Sequence, residues 1–318
     1  MAEEILKVEH LSKKYDEKFI LKDINLTVNK VPSIFEASKS RVQDVHGLFN
    51  GCIKINEFDD TIFQNMPALT NASAVFKGCE GITQNISTTK IFSGCTSLSN
   101  VSEFFSGCSE IFGSIPVDLF NSCRSTLTNT SEMFYNCSGL NGNIGIGNED
   151  SISPNENTYQ LGLLGECLQL ITVKNMFSGC TNLGNNDANG AIPWDMFYTR
   201  NDELLYNKLT DASGLFYNCG FKSGTRYVDD LYYLFHPNFM RKMYKLTTTE
   251  RMFAKPWNAP QKYSGVFSIH PQAFNMQSSL NTIKEMFYNC DGLGGAVTDA
   301  WFKNSLSTLT TAGFSIGL

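Results

Sequence analysis

One motif recurs along most of this chain and limits its fold more than any other feature. The motif combines an apolar residue, a phenylalanine and a cysteine. Copies at 72–79, 130–137, 173–180 and 283–290 read A-S-A-V-F-K-G-C, T-S-E-M-F-Y-N-C, V-K-N-M-F-S-G-C and I-K-E-M-F-Y-N-C. A sequence that repeats itself at a nearly fixed period is typical of a solenoid, in which each unit buries its apolar side chains against its neighbours. We therefore predict stacked coils rather than one globular core.

The spacing of the motif predicts the size of the coil. The central phenylalanines are Phe49, Phe76, Phe105, Phe134, Phe177, Phe216, Phe253 and Phe287. The closest pair, Phe49 and Phe76, is 27 residues apart, within the roughly 20–29 residues of leucine-rich repeats. An intermediate apolar residue follows each one, at Phe63, Phe92, Phe120, Leu164, Phe197, Met240, Phe274 and Phe302. Most extra length falls between a central phenylalanine and its intermediate residue, so the insertions are expected on one face, which is often the face that binds.

These observations predict an α/β repeat solenoid of the leucine-rich-repeat type, with about eight coils of about 28 residues plus insertions. Thr130 and Ser131 precede an apolar pair and are expected to start a short helical turn. Leu98, Leu140 and Leu183 each follow a cysteine by three residues and are expected to begin short strands. The central phenylalanines and cysteines such as Cys108, Cys137 and Cys180 are expected to form the core.

The ten cysteines are interpreted as buried free thiols. Nine of them end a copy of the motif, and Cys123 ends an intermediate segment. A disulfide framework is less favoured because a chain of this length has its own core. A zinc site is not expected, since there is no C-x-x-C and the four histidines are not at ligand spacing. No cofactor is predicted.

Composition limits the partners. A net charge of −6 and a pI near 5.3 argue against a surface that follows nucleic-acid phosphates. No apolar run approaches the roughly 18 residues of a membrane-spanning helix. The first residues, M-A-E-E-I-L-K, lack the apolar core of a signal peptide.

Residues 1–30 differ from the repeats and are predicted to form a β-hairpin, with strands at 5–15 and 19–30. They resemble the first two strands of ABC-transporter ATP-binding subunits, in which Tyr15 would match the aromatic that stacks on adenine. The resemblance implies a phosphate-binding loop next, but Ser33 and Ser38 stand where both of its glycines belong. ATPase activity is therefore rejected. The hairpin is interpreted as a cap on the first coil or as a fusion remnant, followed by a linker at 31–44 and the solenoid at 45–318.

The repeats carry a second resemblance. M-F-Y-N-C-S-G-L at 133–140, M-F-S-G-C-T-N-L at 176–183 and G-S-I-P-V-D-L-F at 113–120 look like BspA-type leucine-rich repeats. The similarity covers residues 45–318. It implies adhesion or binding to host or partner surfaces, at the surface of a cell or a virion.

Two insertions contain the candidate binding residues. The first, after Cys219, contributes Lys222, Arg226, Tyr227, Tyr232 and Tyr233, and the second contributes Trp257 and Tyr263. These residue types are favoured at recognition surfaces, and side-by-side insertions would align their aromatic rings in a strip. In the alternative interpretation, Leu231, Leu234 and Phe235 dock the first insertion onto the core.

The resulting functional hypothesis is a non-enzymatic binding or adhesion protein with a protein or glycan partner. The alternative is a structural component of a phage particle or cell surface that self-associates through an open C-terminal coil. A nucleotide-binding protein is the remote alternative. No catalytic order of residues or paired-carboxylate motif supports an enzyme.

Overall fold

A computed structural model describes residues 6–15, 18–28, 35, 38–145, 161–184, 192–193, 195–201, 203–220, 225–226, 232–233, 235, 237–255, 273–274, 277–290, 302, 304 and 307–310. Strands β1 (Leu6–Tyr15) and β2 (Lys18–Val28) pair antiparallel at the place of the predicted hairpin, with register shifts along the pair. The short strands β3 (Thr225–Arg226) and β4 (Tyr232–Tyr233) also pair antiparallel. A 3₁₀ helix spans Pro237–Met240.

The repeats stack in parallel. One residue per repeat, five positions before the central phenylalanine, forms an isolated parallel bridge with its equivalent in the next repeat. This bridge column consists of Asp44, Asn71, Asn100, Asn129, Thr172, Asp211, Thr248 and Thr282. A second set of bridges, Asn85 to Phe112 and Ile115 to Ile144, lies in other parts of the repeats. Consecutive repeats are therefore adjacent coils of one stack.

Each coil donates four backbone hydrogen bonds to the next, and an N–H group beside each bridge donates back, such as Thr70 N to the Gln43 carbonyl at 2.8 Å. In the first junction, the N–H groups of Val45, Gly47, Phe49 and Gly51 donate to carbonyls of the Phe76 coil, at N···O distances of 2.7–2.9 Å. The same four positions donate at all seven junctions, from the Phe49 coil to the Phe287 coil. We call this four-bond set the coil junction.

The junction depends on left-handed backbone conformations at two fixed positions of each coil. Residues two positions before and two positions after every central phenylalanine have φ between 52° and 80°. In the Phe134 coil, these residues are Glu132 and Asn136. The intervening N–H groups form local turns, such as Tyr135 N to the Glu132 carbonyl at 3.0 Å. Half of the N–H groups thus remain available for the next coil, whereas an α-helix would use them internally.

The core is a stack of phenylalanine rings. Neighbouring central phenylalanines have centroid distances of 5.3–6.0 Å and interplanar angles of 6–23°. All eight are buried, as are the intermediate residues. A leucine seven positions before the central phenylalanine, such as Leu98 or Leu127, is also fully buried. These three columns form one continuous hydrophobic core along the stack.

Arg124 joins two coils across the longest insertion. Its guanidinium donates to the carbonyls of Gly162, Leu163 and Gly165, at 3.0, 3.3 and 2.5 Å, and to Asn121 Oδ1 at 2.8 Å. A planar guanidinium suits such a set of carbonyls because it presents five donors in fixed directions. The coil register is thus kept where residues 146–160 are inserted.

The coils differ from the predicted units. Among the described residues there is no α-helix, and the predicted helical turn at Thr130 and Ser131 is wrong because Glu132 has φ = 57°. The strands predicted to begin at Leu98 and Leu140 are single bridges at Asn100 and Ile144. The stack also begins inside the predicted linker at 31–44. Asp44 makes the first bridge, and the ring of buried Phe35 lies 6.2 Å from that of Phe63.

Replacing one stacked ring should destabilise the protein strongly. We expect Phe177→Ala to lower the free energy of unfolding by about 3–5 kcal/mol, because it leaves a cavity between two coils. Chemical denaturation followed by circular dichroism measures the change. Phe112→Ala is the matched control, since Phe112 is 39% exposed and should cost far less. Equal losses for the two variants would contradict the ring stack.

The left-handed positions should tolerate glycine, unlike their neighbours. Ala74 has φ = 54°, which costs an alanine about 1–2 kcal/mol, so Ala74→Gly should leave stability unchanged or raise it. Ala72 is equally buried but is not among the left-handed residues, and Ala72→Gly should lower stability by about 1 kcal/mol. Denaturation midpoints of the pair test this. A similar loss in both would argue against the left-handed conformation of Ala74.

Candidate functional site

The position directly after each central phenylalanine alternates between large and small side chains. From the Phe105 coil to the Phe287 coil, the residues are Ser106, Tyr135, Ser178, Tyr217, Ala254 and Tyr288. Ser106, Ser178 and Ala254 are buried, and the three tyrosines are half-buried. We call Tyr135, Tyr217 and Tyr288 the tyrosine column. Its members lie two coils apart, with a small residue between each pair.

Each tyrosine of the column is followed by an exposed asparagine, at Asn136, Asn218 and Asn289. Their φ values are 57°, 54° and 54°. Asparagine suits this left-handed position because it accepts the conformation more readily than most residues. Asn136 Oδ1 also lies over Gly179 of the next coil, where an added Cβ would approach it to 2.1 Å. The small residue at Gly179 therefore makes room for the carboxamide.

Charges beside the tyrosine column are mostly paired between coils. Arg251 Nε lies 2.5 Å from Glu285 Oε2, and this hydrogen bond raises the pKa of the guanidinium and lowers that of the carboxyl. Lys284 Nζ is 3.6 Å from Glu250 Oε1. Lys255 Nζ is 5.8 Å from the centroid of the Tyr217 ring, a distance typical of a cation–π contact. The column thus combines aromatic rings and carboxamides with little unpaired charge nearby.

A polar column not recognised in the sequence lies beside the junctions. In the Asn71, Asn100, Asn129 and Asp211 coils, the side-chain Oδ1 of the bridge residue accepts the N–H two residues later, at 2.9–3.1 Å. Thr172 and Thr248 use their hydroxyls in the same way, at 3.1 and 3.4 Å. From the sequence, Thr130 and Ser131 were expected to take this capping role. The missed signal was the recurrence of Asn, Asp or Thr five positions before each central phenylalanine.

The predicted binding residues are only partly described. Arg226 pairs with Tyr232 in the β3–β4 ribbon, and Tyr233 pairs with Thr225. Lys222, Tyr227, Trp257 and Tyr263 lie outside the described residues, so the aromatic strip stays a prediction.

The end of the first insertion packs into the core, in the manner of the alternative interpretation. Phe235 is 1% exposed and stacks on Phe253 at 4.6 Å. Leu231 and Leu234 lie outside the described residues. In sequence, the first insertion follows Cys219, and the second follows Lys255.

The cysteines form two columns of free thiols. Six in the central column donate to the carbonyl of the preceding central phenylalanine at 2.8–3.0 Å: Cys79, Cys108, Cys137, Cys180, Cys219 and Cys290. Cys95 makes the equivalent bond to the Phe63 carbonyl. Cys95 and Cys167 follow intermediate residues, so they belong with Cys123 and were assigned to the wrong column.

Other donors take the place of cysteine in the intermediate column. Tyr206 Oη donates to the Leu164 carbonyl, and Gln277 Nε2 donates to the Met240 carbonyl, each at 2.6 Å. The carbonyl of an intermediate residue is therefore satisfied by whichever donor the next coil supplies.

Burial makes the thiols poor nucleophiles. It raises the pKa of Cys95 to about 11 and those of Cys79 and Cys167 to about 12. Since the thiolate is the reactive form, these cysteines are suited to packing rather than to catalysis. In the part of the chain that the structure describes, no cluster of His, Cys, Asp and Glu could hold a metal ion. The described residues also include no helix with the length and hydropathy of a bilayer span.

Comparisons with known proteins give limited similarity. Residues 23–146 match the family described as "Mycoplasma protein of unknown function, DUF285". No curated protein matches the chain significantly. Among solved structures, a leucine-rich repeat protein from Bacteroides ovatus aligns with 95% of this chain and 67% of its own, at 16% identity and a TM-score of 0.30. The architecture described above rests on the chain's own hydrogen bonds.

Thiol labelling should reveal the cysteine columns. Cys52 is partly exposed, and the other nine cysteines are buried. In the native protein at pH 8, we expect a chromogenic disulfide reagent to label about one thiol quickly, and all ten after unfolding in denaturant. Cys52→Ser is the control and should remove the fast phase. Rapid labelling of several thiols in that variant would contradict the buried columns.

Proposed function

We propose that this chain is a non-enzymatic binding or adhesion protein, built as a leucine-rich-repeat-like solenoid that presents loops of variable length on one edge. Its partner is a protein or glycan on a cell surface. The proposal needs no cofactor and no nucleic acid. It agrees with the resemblance of residues 45–318 to BspA-type repeats.

The observation that supports the proposal is the constancy of the coil junction under insertion. The step between bridge residues is 27 residues from Asp44 to Asn71 and 43 residues from Asn129 to Thr172. Both junctions nevertheless have the same four hydrogen bonds. A scaffold that keeps its backbone contacts while its loops change length is suited to recognition, because loop sequence can vary without loss of the core.

The position of the longer insertions supports the same conclusion. The longest fall between a central phenylalanine and its intermediate residue, at 146–160, 221–234 and 256–272. From the intermediate residue to the next bridge residue, the chain usually takes eight or nine residues, as from Phe92 to Asn100 or from Phe120 to Asn129. Insertions on one side of a stack of coils would project from the same edge, where they can act together.

Shortening the aromatic insertions should abolish binding while the coils remain folded. The test is a pull-down of the full chain on intact bacterial cells. Variants with 221–234 or 257–263 replaced by short Gly-Ser linkers should bind at least about tenfold more weakly. A variant shortened at 146–160 is the matched control and should bind as the parent does. Unchanged binding in the first two variants, with native thiol protection, would exclude these insertions as the contact.

A structural or assembly role is the second candidate. The regular junction favours it, because each coil offers the same four N–H groups to the coil that follows. A second copy could therefore add to a free coil face with the same pattern. Regular oligomers in analytical ultracentrifugation, with no binding to cells or glycans, would support this role instead of the first.

A further inference from the structure

In the tyrosine column, tyrosine and the asparagine after it recur together in every second coil. Tyr-Asn occurs at 135–136, 217–218 and 288–289, whereas the intervening coils have Ser178-Gly179 and Ala254-Lys255. The position two residues before the central phenylalanine, on the same coil segment, shows no such alternation: Glu103, Glu132 and Asn175 follow one another. The column is therefore a series of matched aromatic and carboxamide groups, separated by Ser178-Gly179 in one coil and by Ala254 with the exposed Lys255 in another.

Junction bonds occupy several backbone groups under this column. The carbonyls of Tyr135 and Tyr217 accept the N–H groups of Gly107 and Gly179 at 2.7 and 2.8 Å. Asn136 and Asn218 donate their N–H groups to the following coil at 2.8 and 2.9 Å. An extended peptide gains much of its affinity from main-chain bonds at an open edge. These occupied groups favour a ligand that is bound by side chains.

The charges also narrow the ligand. Arg251 and Lys284 are paired with Glu285 and Glu250, and Lys255 lies against the Tyr217 ring. The chain as a whole has a net charge of −6. A polyanion would therefore find few free cations along the column. The remaining groups are flat ring surfaces, phenol hydroxyls and exposed carboxamides, which suit a ligand with apolar C–H faces and many uncharged hydroxyls.

We propose that Tyr135, Tyr217 and Tyr288, with the asparagine that follows each, bind a linear uncharged polysaccharide laid along the axis of the coils. Sugar rings stack on the tyrosines, and their hydroxyls bond to the carboxamides. The inference rests on the proposed binding function and adds a separate polysaccharide contact on the coil surface, distinct from the contact of the insertions with cells.

Affinity electrophoresis of the full chain in gels containing galactomannan, xyloglucan, hydroxyethylcellulose or dextran tests the proposal. At least one of these polymers should retard the parent protein. The triple variant Tyr135→Ala, Tyr217→Ala, Tyr288→Ala should show at least about tenfold weaker retardation. Tyr244→Ala is the matched control, because Tyr244 is also half-buried but lies outside the column. Its retardation should equal that of the parent.

A second variant covers the case in which the triple variant fails to fold. Asn136→Asp, Asn218→Asp, Asn289→Asp keeps the side-chain shape and tolerates the left-handed backbone, but it removes the amide donors. It should weaken retardation several-fold. Retardation by none of the four polymers, or equal retardation of the parent and the asparagine variant, would overturn the proposal.

Cell binding and polysaccharide retardation of the shortened variants separate this inference from the function proposed above. The variants with 221–234 or 257–263 shortened should keep their polysaccharide retardation even where they lose binding to cells. Suppose that the shortened variants lose both cell binding and polysaccharide retardation, while the asparagine variant keeps both. The insertions are then the glycan site, and the tyrosine column is not. The polysaccharide proposal would also be overturned if the tyrosine column bound peptides and no polysaccharide.

Discussion

The structure depends on the coil junction, in which four N–H groups of each coil bind carbonyls of the next. The junction exists because the residues two positions before and two positions after each central phenylalanine are left-handed, and half of the N–H groups stay out of local turns. Non-glycine residues such as Glu132 and Arg251 accept this conformation at a cost of about 1–2 kcal/mol each. Four hydrogen bonds per junction and the buried ring beside them outweigh that cost.

The junction and the ring stack together explain why the molecule tolerates insertions. The junctions join only adjacent coils, so extra residues between a central phenylalanine and its intermediate residue need not disturb either column. Where the insertion is longest, Arg124 adds bonds to three carbonyls on the far side. The same regularity aligns the residues that directly follow the central phenylalanines of successive coils. A simple alternation of tyrosine with serine or alanine thereby becomes a surface feature that runs along the stack.

Predictions from the sequence were most accurate where burial decides the structure. The phenylalanine column and the burial of the cysteines could be predicted because apolar residues at a fixed period must meet in a stack. The predicted local conformation was wrong, since M-F-Y-N-C has the composition of a helical turn and nothing local reveals that Glu132 is left-handed. The capping role of Asn129 was missed for a similar reason. Its Oδ1 accepts the N–H of Ser131 only because the bridge to Asn100 holds the chain in place.

The sequence by itself determined the period, the number of coils, the identity of the core residues and the side on which length varies, because all four follow from the recurrence of one apolar pattern. The direction of the junction hydrogen bonds was decided only in the tertiary structure. So was the division of the cysteines into two columns, and so was the line formed by Tyr135, Tyr217 and Tyr288. These features depend on contacts between residues 26 to 46 positions apart. Local preference is too weak to specify them, and the neighbouring coil supplies the missing constraint.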